Sequence, residues 1–269
     1  MNPSVLFVFI LSILLGVLRA ADLAFGTDAV TGLCVVGSVW WRYLALGIVV
    51  LAAVLVGRTQ PSRSEAVRSR RPLAGILAFV GAVCFLAAAG AQIALGAASG
   101  LGGFVRCILE CLCSAWLSTM GRCWLSPNEW KKPFGGLYLA VAGSVLFYWN
   151  VLMRFMENSS SWHRVEPTAM VWQMLAALVF LSAMVRALWL PETSNGCQLC
   201  EAGICTFLLC FCWELPRVLV LLFHGITAAD LPEVLFGFGM CCIGALGLFT
   251  VARVAGSDGR PAIPRHAVG

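Results

Sequence analysis

Two short patterns place acidic and basic side chains one helical turn apart within strongly apolar stretches of the sequence. The first is Arg106-Cys-Ile-Leu-Glu110, an i,i+4 pair, and the second is Glu214-Leu-Pro-Arg217, an i,i+3 pair. On a helix, both spacings bring the two side chains to one face. An ionisable group at the centre of a membrane helix costs roughly 2.5–3.5 kcal/mol, so it needs a charged partner, a bound solute or water. The patterns therefore indicate a polar site among apolar helices.

The two carboxylates are predicted to lie at a common depth. Their helices run in opposite directions, and each carboxylate falls about 10–14 Å below the outer surface at 1.5 Å per residue. This permits cross-pairing of Glu110 with Arg217 and of Arg106 with Glu214. Pro216 removes one backbone donor and leaves a carbonyl free at this level. The predicted lining of one outward polar cavity is Arg106, Glu110, Asn150, Gln173, Glu214 and Arg217. The alternative is a self-neutralised ion-pair network that only fixes helix register.

Apolar segments of roughly 18 to 26 residues supply the helices that would position these groups, because such lengths cross a hydrocarbon core of ~30 Å. Backbone groups in lipid must hydrogen-bond within their own segment, which favours helices. We predict an all-α polytopic bundle that forms a single integral membrane domain over residues 1–269. The predicted spans are 5–21, 39–57, 73–98, 104–124, 134–156, 168–190, 204–223 and 234–254.

The composition excludes a separate soluble domain. Hydrophobic residues make up 60% of the chain and charged residues only 12%, against about 25% charged in soluble domains. The longest polar interval, 58–72, is too short to bury a core of its own. The net charge of +5 is distributed among loops, so we expect no nucleic-acid partner. The expected partner is the lipid bilayer, with a further membrane subunit or a small solute as additional candidates.

The placement of Lys and Arg predicts the orientation. Twelve of the eighteen basic residues fall on one side of the predicted threading, and that side is expected to be cytoplasmic. Both termini then lie in the cytoplasm, including the tail 255–269. The loop 58–72 is a candidate for lipid or partner contact, at about 1 kcal/mol for each Arg near an anionic leaflet. Its basic residues are Arg58, Arg63, Arg68, Arg70 and Arg71. The alternative is that this loop only sets the topology.

Small residues four positions apart predict close helix contacts on two spans. Gly96 and Gly100 form such a pair at the end of the third span, and Gly136, Ala140 and Ser144 repeat the spacing on the fifth.

Thirteen cysteines lie mostly within apolar runs, where free Cys packs as a small hydrophobe. Cys197-Gln-Leu-Cys200, followed by Cys205, is predicted to lie in a cytoplasmic loop. A structural zinc needs four ligands, and one CxxC supplies two, so Cys123 would have to complete the set. We therefore predict no metal and no cofactor, and retain these cysteines as the candidates should a metal bind.

No Gly-rich phosphate loop, HExxH or GxSxG motif occurs in the sequence, so no enzymatic activity is predicted. An intramembrane enzyme would need a nucleophile or metal set, for example Cys197, Cys200 and Cys205 converging with a fourth ligand.

The first two spans carry a recognisable combination of residues. The pattern runs from Arg19-Ala-Ala-Asp22 through Thr31-Gly-Leu33 to Trp41-Arg42-Tyr43. It resembles the first hairpin of uncharacterised multi-span membrane proteins of anaerobic Gram-positive bacteria. The resemblance implies a bacterial plasma-membrane protein that crosses the bilayer several times, and no activity comes with it.

Together these features predict a bacterial integral membrane protein whose outward polar cavity binds a small solute or lipid headgroup as part of a transport system. The alternative is a non-transporting anchor or sensor that acts through the loop 58–72. A water-accessible pocket lined by Glu110, Glu214 and Arg217 favours the first function, and a packed bundle without such a pocket favours the second.

Overall fold

A computed structural model describes residues 2–28, 33–60, 65–69, 71–98, 100–126, 133–156, 165–190, 195–225 and 227–256. Among these residues, eight helices are long and apolar enough to cross a membrane. Within the same ranges the only β contact is an isolated bridge between Thr27 and Cys34. The predicted all-α polytopic bundle is therefore confirmed, and the chain is a multi-pass membrane protein.

Nine α-helices form the bundle in the described part of the chain. The seventh span consists of two helices, α7 (Gly196–Thr206) and α8 (Glu214–His224), joined by a π-helical segment. The first helix, α1 (Pro3–Ala21), continues into a π-helical turn at Asp22–Gly26. The helices are α1 Pro3–Ala21, α2 Val39–Arg58, α3 Pro72–Ala94, α4 Gly100–Leu125, α5 Gly136–Met156, α6 Val165–Trp189, α7 Gly196–Thr206, α8 Glu214–His224 and α9 Leu231–Val254. A 3₁₀ turn, Glu65–Arg68, precedes α3.

The predicted boundaries agree with these helices to within about four residues, except at the start of the seventh span. That span begins at Gly196, eight residues before the predicted start at 204. Its first two turns are less apolar, but Leu199 and Cys200 are fully buried. Packing against α2 and α9 therefore extends the helix beyond the apolar run, and the CxxC motif lies in a helix and not in a loop as predicted.

Successive spans alternate in direction, so the bundle has two distinct ends. We call the end that carries Pro3 and Val254 the terminal end, and the opposite end the distal end. The connections α1–α2, α3–α4, α5–α6 and α8–α9 lie at the distal end. The seventh span and α9 are the most buried and form the centre, against which α1, α2, α3 and α6 pack.

Glycines allow the helices around the seventh span to approach closely. A Cβ on Gly57 of α2 would lie 2.3 Å from the Cα of Glu201 in α7, and one on Gly247 of α9 would lie 2.5 Å from the carbonyl oxygen of Gly203. Any larger side chain would separate these backbones. These contacts lie between residues distant in sequence, so spacing on one helix does not reveal them.

The predicted small-residue contacts on the third and fifth spans are wrong in their main positions. Gly96 and Gly100 have φ values of +67° and +68°, and Gly136 has +60°, with no neighbouring atom within 4 Å of an added Cβ. Gly96 and Gly100 form the turn between α3 and α4, because a left-handed backbone favours glycine. On α5, Ala140 is buried, and the closest approach is instead at Gly143, 3.2 Å from the Cα of Cys113.

The π-helical segment Phe207–Trp213 lies immediately before Glu214 and Pro216. Proline cannot donate a backbone hydrogen bond, and its ring clashes with the carbonyl four residues earlier. A wider turn upstream accommodates that lost bond. Thr206 Oγ1 lies 2.9 Å from Ala176 O and 2.8 Å from Ala202 O, so its single hydroxyl proton is shared between these carbonyls and the start of this segment contacts α6. The seventh span is therefore a discontinuous helix near its charged residues.

Candidate functional site

A polar cavity of about 260 Å³ lies among α3, α4, α5, α6, α8 and α9 towards the distal end of the bundle. Its lining includes five of the six residues predicted for an outward cavity. These are Arg106, Asn150, Gln173, Glu214 and Arg217. The sixth, Glu110, lies behind Arg106. Glu110 is ten residues from the start of α4 and Glu214 ten residues from the end of α8, so both lie about 15 Å from the distal helix ends.

Glu110 is fully buried on the α3 side of the cavity. Arg106 Nε donates to Glu110 Oε1 at 2.9 Å. Gln92 of α3 donates from Nε2 to both carboxylate oxygens, at 3.0 and 3.1 Å. These bonds offset the desolvation of the carboxylate. Because Arg106 remains partly exposed, with a side-chain exposure of 26%, it is the charged group of this pair that faces the cavity.

Arg217 is the centre of a second, more acidic group. Its Nη2 binds Glu214 Oε1 at 2.5 Å, and two further carboxylates lie nearby. Nε is 3.6 Å from Glu166 Oε1 of α6, and Nη1 is 3.7 Å from Glu233 Oε2 of α9. Gln173 Nε2 donates to Glu214 Oε2 at 3.0 Å. One guanidinium therefore faces three carboxylates, and Glu233, with about half of its side chain exposed, is open to solvent or to a ligand.

The predicted exchange of partners between the two charged pairs does not occur among the described residues. Each pair closes within its own helix, Arg106 with Glu110 and Arg217 with Glu214. The fourth span packs against α3 and α5, and α8 packs against α9 and α1. Phe236 of α9 lies beside Arg106, whose Cζ is 5.0 Å from the ring centroid. A matched depth was therefore insufficient, because α4 and α8 pack on other helices and the polar cavity, which both helices line, lies between their charged pairs.

The α5 wall adds hydrogen-bonding groups. Asn150 Nδ2 donates to Leu146 O at 2.8 Å, which leaves its side-chain oxygen as an acceptor at the cavity. Trp149 Nε1 is buried and has no acceptor within the part of the chain that the structure describes. Arg154 Nη2 lies 3.2 Å from Met170 Sδ. A buried donor without a protein acceptor is uncommon, and sequence reasoning did not identify Trp149.

Gln173 also satisfies the backbone of the discontinuous seventh span. Its Nε2 donates to Leu209 O at 3.1 Å, within the π-helical segment. Pro216 was predicted to leave a carbonyl free at this level, and the structure places a side-chain amide on a carbonyl of that segment. The same amide binds Glu214, so Gln173 links the irregular backbone to the charged group.

A second ionic group at the distal end was not predicted as a site. Asp22 binds Arg19 Nη1 at 2.8 Å and also Arg42 Nη2. The Arg19 guanidinium lies 4.8 Å from the ring centroid of Trp213. Glu166 attracts Arg19 as well as Arg217, so this group is electrostatically connected to the polar cavity. The i,i+3 spacing of Arg19 and Asp22 was the available sequence signal.

The basic loop is largely engaged by the protein itself. Arg68 donates to Leu188 O at the end of α6, from Nη2 at 2.5 Å. Arg71 is buried, and its backbone N–H donates to Trp124 O at 3.0 Å. Burial, together with the positive charge of Arg253, lowers the pKa of Arg71 to about 10, so Arg71 stays charged at neutral pH. Arg58 is exposed and lies 3.5 Å from Glu201, and Arg63 and Arg70 lie outside the described residues.

The cysteines that were considered as metal ligands lie in different surroundings. Cys197 Sγ lies 2.8 Å from Gln60 O, Cys200 is fully buried in the core, and Cys205 is partly buried. Each of the thirteen cysteines is a free thiol in the structure. Among the described residues, no group of three or more His, Cys, Asp or Glu side chains is arranged to hold a metal ion. Cys123, at the end of α4, is likewise a free thiol.

Comparisons with protein-family models, curated proteins and solved structures give no match to this chain.

Proposed function

We propose that this chain is a bacterial plasma-membrane protein that binds a small zwitterionic solute or lipid headgroup in the polar cavity, as part of a transport system and without a catalytic step. The distal end faces outward in this proposal, as the distribution of Lys and Arg predicts. The observation that carries the proposal is a cavity within the bundle that presents guanidinium and carboxylate groups together.

The charges of the cavity suit a ligand that carries both signs. Arg106 faces the cavity after its pairing with buried Glu110, and Glu233 on the opposite wall is half exposed. An anionic group of the ligand can bind Arg106 bidentately. A cationic group can approach Glu233, since Arg217 has to share its charge among three carboxylates. Trp149 and Asn150 of α5 also line the cavity, and the Asn150 side-chain oxygen supplies a neutral acceptor.

The size of the cavity limits the ligand. Its volume of about 260 Å³ lies just below the range of about 300–1,000 Å³ that is usual for drug-sized ligands. This size favours an amino acid, a betaine or a phosphoethanolamine group over a larger ligand such as a nucleotide or a disaccharide.

The seventh span supports a role in transport. Discontinuous helices recur at the substrate sites of membrane transporters, where irregular backbone lines the cavity. Here the π-helical segment ends at Trp213, directly before Glu214, and Pro216 follows within the next turn. π-Turns inside α-helices occur frequently at functional sites. A ligand on Glu214 or Arg217 would therefore act directly on the irregular part of the bundle.

The alternative, an anchor or sensor that acts through the loop 58–72, has less support. The Arg68 guanidinium donates to Leu188 O, and the buried Arg71 donates from Nε to Ser69 Oγ, so neither side chain is displayed for a lipid or a partner. Of the described basic residues of that loop, Arg58 alone is exposed.

A ligand-binding screen tests the proposal. The thermal unfolding midpoint of purified protein in mild detergent is measured with amino acids, glycine betaine, phosphocholine and phosphoethanolamine. At least one zwitterion should raise the midpoint of the wild type. Gly102→Leu fills the cavity, because a Cβ at Gly102 lies 3.0 Å from the flexible end of Met153, and should abolish the shift. Gly90→Leu is the control, since an added Cβ there meets no atom within 4 Å. The proposal would be contradicted if no compound raised the unfolding midpoint, or if the midpoints of Gly102→Leu and Gly90→Leu rose equally.

A further inference from the structure

A second cavity of about 610 Å³ opens on the side of the bundle between α2 and α6. We call it the lateral groove. Val50 of α2 forms one wall, Leu175, Val179, Ser182 and Arg186 of α6 form the other, and Gln198 of α7 lies at its terminal end. This groove is separate from the polar cavity, which lies among α3 to α6, α8 and α9.

The groove exists because α2 and α6 meet only near their distal ends. There, Tyr43 OH lies 3.3 Å from Thr168 Oγ1, which joins the two helices. Towards the terminal end, α2 instead approaches α7 at Gly57, where no side chain separates the backbones. The space left between α2 and α6 is floored by α7, through Ala202 and Cys205.

The shape of the groove matches one leaflet of a bilayer. Its α6 wall extends from Trp172 to Arg186, fourteen residues or about 21 Å at 1.5 Å per residue. A leaflet contributes about 15 Å of hydrocarbon, half of the ~30 Å core. Leu175 and Val179 are 44% and 54% exposed within this length, so they face hydrocarbon. The polar residues of the lining, Ser182, Arg186, Gln198 and Glu201, lie in the half of the groove nearer the terminal end.

Arg186 supplies the positive charge at that polar end. Its side chain is exposed, and it makes no ion pair with any residue that the structure describes. The neighbouring acid, Glu201, also lines the groove, but it lies 3.5 Å from Arg58, so an opposing cation already faces its negative charge. Arg186 is therefore the cation at this end that no described carboxylate pairs with, and it is complementary to an anionic headgroup.

We propose that the lateral groove binds one anionic phospholipid from the leaflet at the terminal end. An acyl chain lies along Leu175 and Val179, and the phosphate accepts hydrogen bonds from the Arg186 guanidinium and the Gln198 amide. A second copy of the chain is a poorer occupant, because an apolar partner helix would leave the Arg186 charge unpaired in a medium of low dielectric. The phosphate both neutralises this charge and accepts its hydrogen bonds.

Native mass spectrometry of the purified full chain tests this site. The protein in mild detergent is mixed with equal amounts of phosphatidylglycerol and phosphatidylcholine of identical acyl chains, and bound lipids are counted. The wild type should retain one phosphatidylglycerol in preference to phosphatidylcholine. Arg186→Gln should lower that preference at least about fivefold. Arg122→Gln, at an exposed arginine near the end of α4 at the same end of the bundle, should leave the preference unchanged.

A second pair of variants tests the apolar length of the groove. Val179→Trp should reduce binding of both lipids, because the indole occupies the space of the acyl chain. Val83→Trp is its control, since Val83 of α3 is comparably exposed at 64% and lies outside the groove. Soluble glycerol phosphate, which has the headgroup without the chains, should not displace the lipid.

Three results would overturn the proposal. The first is an unchanged phosphatidylglycerol preference in Arg186→Gln together with unchanged lipid retention in Val179→Trp. The second is displacement of the lipid by glycerol phosphate, which would assign the polar end to a soluble phosphate. The third is a dimer in the wild type that Val179→Trp, but not Val83→Trp, converts to a monomer, which would assign the groove to a second copy of the chain.

Discussion

Gln173 of α6 donates a hydrogen bond from Nε2 to Glu214 Oε2 at 3.0 Å, and the same nitrogen lies 3.1 Å from the carbonyl oxygen of Leu209. One uncharged side chain thereby joins the buried carboxylate of the polar cavity to the π-helical segment of the seventh span. Under the proposed function, a ligand that alters the charge around Glu214 should change the hydrogen bonding of that segment. The two bonds of Gln173 support that proposal.

The two members of the Arg217–Glu214 pair should differ in their contribution to stability. Arg217→Ala leaves Glu214, with 4% of its side chain exposed, without a cation and should cost about 3–5 kcal/mol. Glu214→Gln should cost less, about 1–3 kcal/mol, because Glu166 and Glu233 still face Arg217. The free energy of unfolding in mild detergent measures both. The double variant should lose less than the sum of the single losses, and an equal or larger cost for Glu214→Gln would contradict this arrangement.

The two charged pairs should behave independently of each other. Arg106→Gln and Glu110→Gln should be coupled by about 0.5–3 kcal/mol in a double-mutant cycle, because the two side chains are bonded. Arg106→Gln and Glu214→Gln should be additive within ~0.5 kcal/mol, since they share no described partner. The unfolding free energies of the three single and two double variants provide the measurement. A coupling between Arg106 and Glu214 as large as that between Arg106 and Glu110 would restore the cross-paired network.

The close approach of α2 to α7 should be sensitive to a single methyl group. In Gly57→Ala, the new Cβ would lie 2.3 Å from the Cα of Glu201, so one backbone must move, at a cost of roughly 1–3 kcal/mol. Gly47→Ala on the same helix is the matched control, because no atom lies within 4 Å of its Cβ. That change should be neutral or stabilising by up to ~1 kcal/mol. Equal thermal stability of the two variants would argue against this helix contact.

Both termini should lie in the cytoplasm. The larger share of Lys and Arg lies in the connections at the terminal end and in the tail. A reporter that is active only in the cytoplasm, fused after Gly269, should therefore be active, and one that is active only outside the membrane should be silent. Activity of the external reporter alone would reverse the orientation and direct the polar cavity inward.

The fold was predictable because apolar length and the backbone requirement of the bilayer act on each segment separately. The start of the seventh span was not predictable, since residues 196–203 become helical through packing on α2 and α9. The glycine contacts were not predictable either, because they too depend on which helices are adjacent. Gly96 and Gly100 have the spacing of a helix contact but form a turn, whereas Gly57 and Gly203 meet neighbours that no local pattern specifies.

Most residues that line the polar cavity could be predicted from the sequence, but the pairing of their charges could not. Depth along a helix follows from residue number, so Arg106 and Arg217 could be assigned to one level. Their partners depend on which helices are adjacent, and Phe236 of α9 beside Arg106 could not be inferred from depth. Trp149 could not be identified as a cavity residue from the sequence, because an indole in an apolar helix is ordinarily a packing residue. Its unsatisfied N–H is apparent only in the structure.

Access of water to the polar cavity from outside the cell is the most direct test of the account. Asn150→Cys and Tyr148→Cys are made in a Cys34→Ser background and treated in intact cells with a membrane-impermeant thiol reagent. Asn150 lines the cavity, whereas Tyr148, half a turn earlier on α5, is 52% exposed on the outer surface of the bundle, where it faces lipid. Position 150 should be labelled, Gly102→Leu should suppress that labelling, and position 148 should remain unlabelled. Absence of labelling at position 150, labelling only after the membrane is permeabilised, or equal labelling at both positions would contradict an outward-open polar cavity.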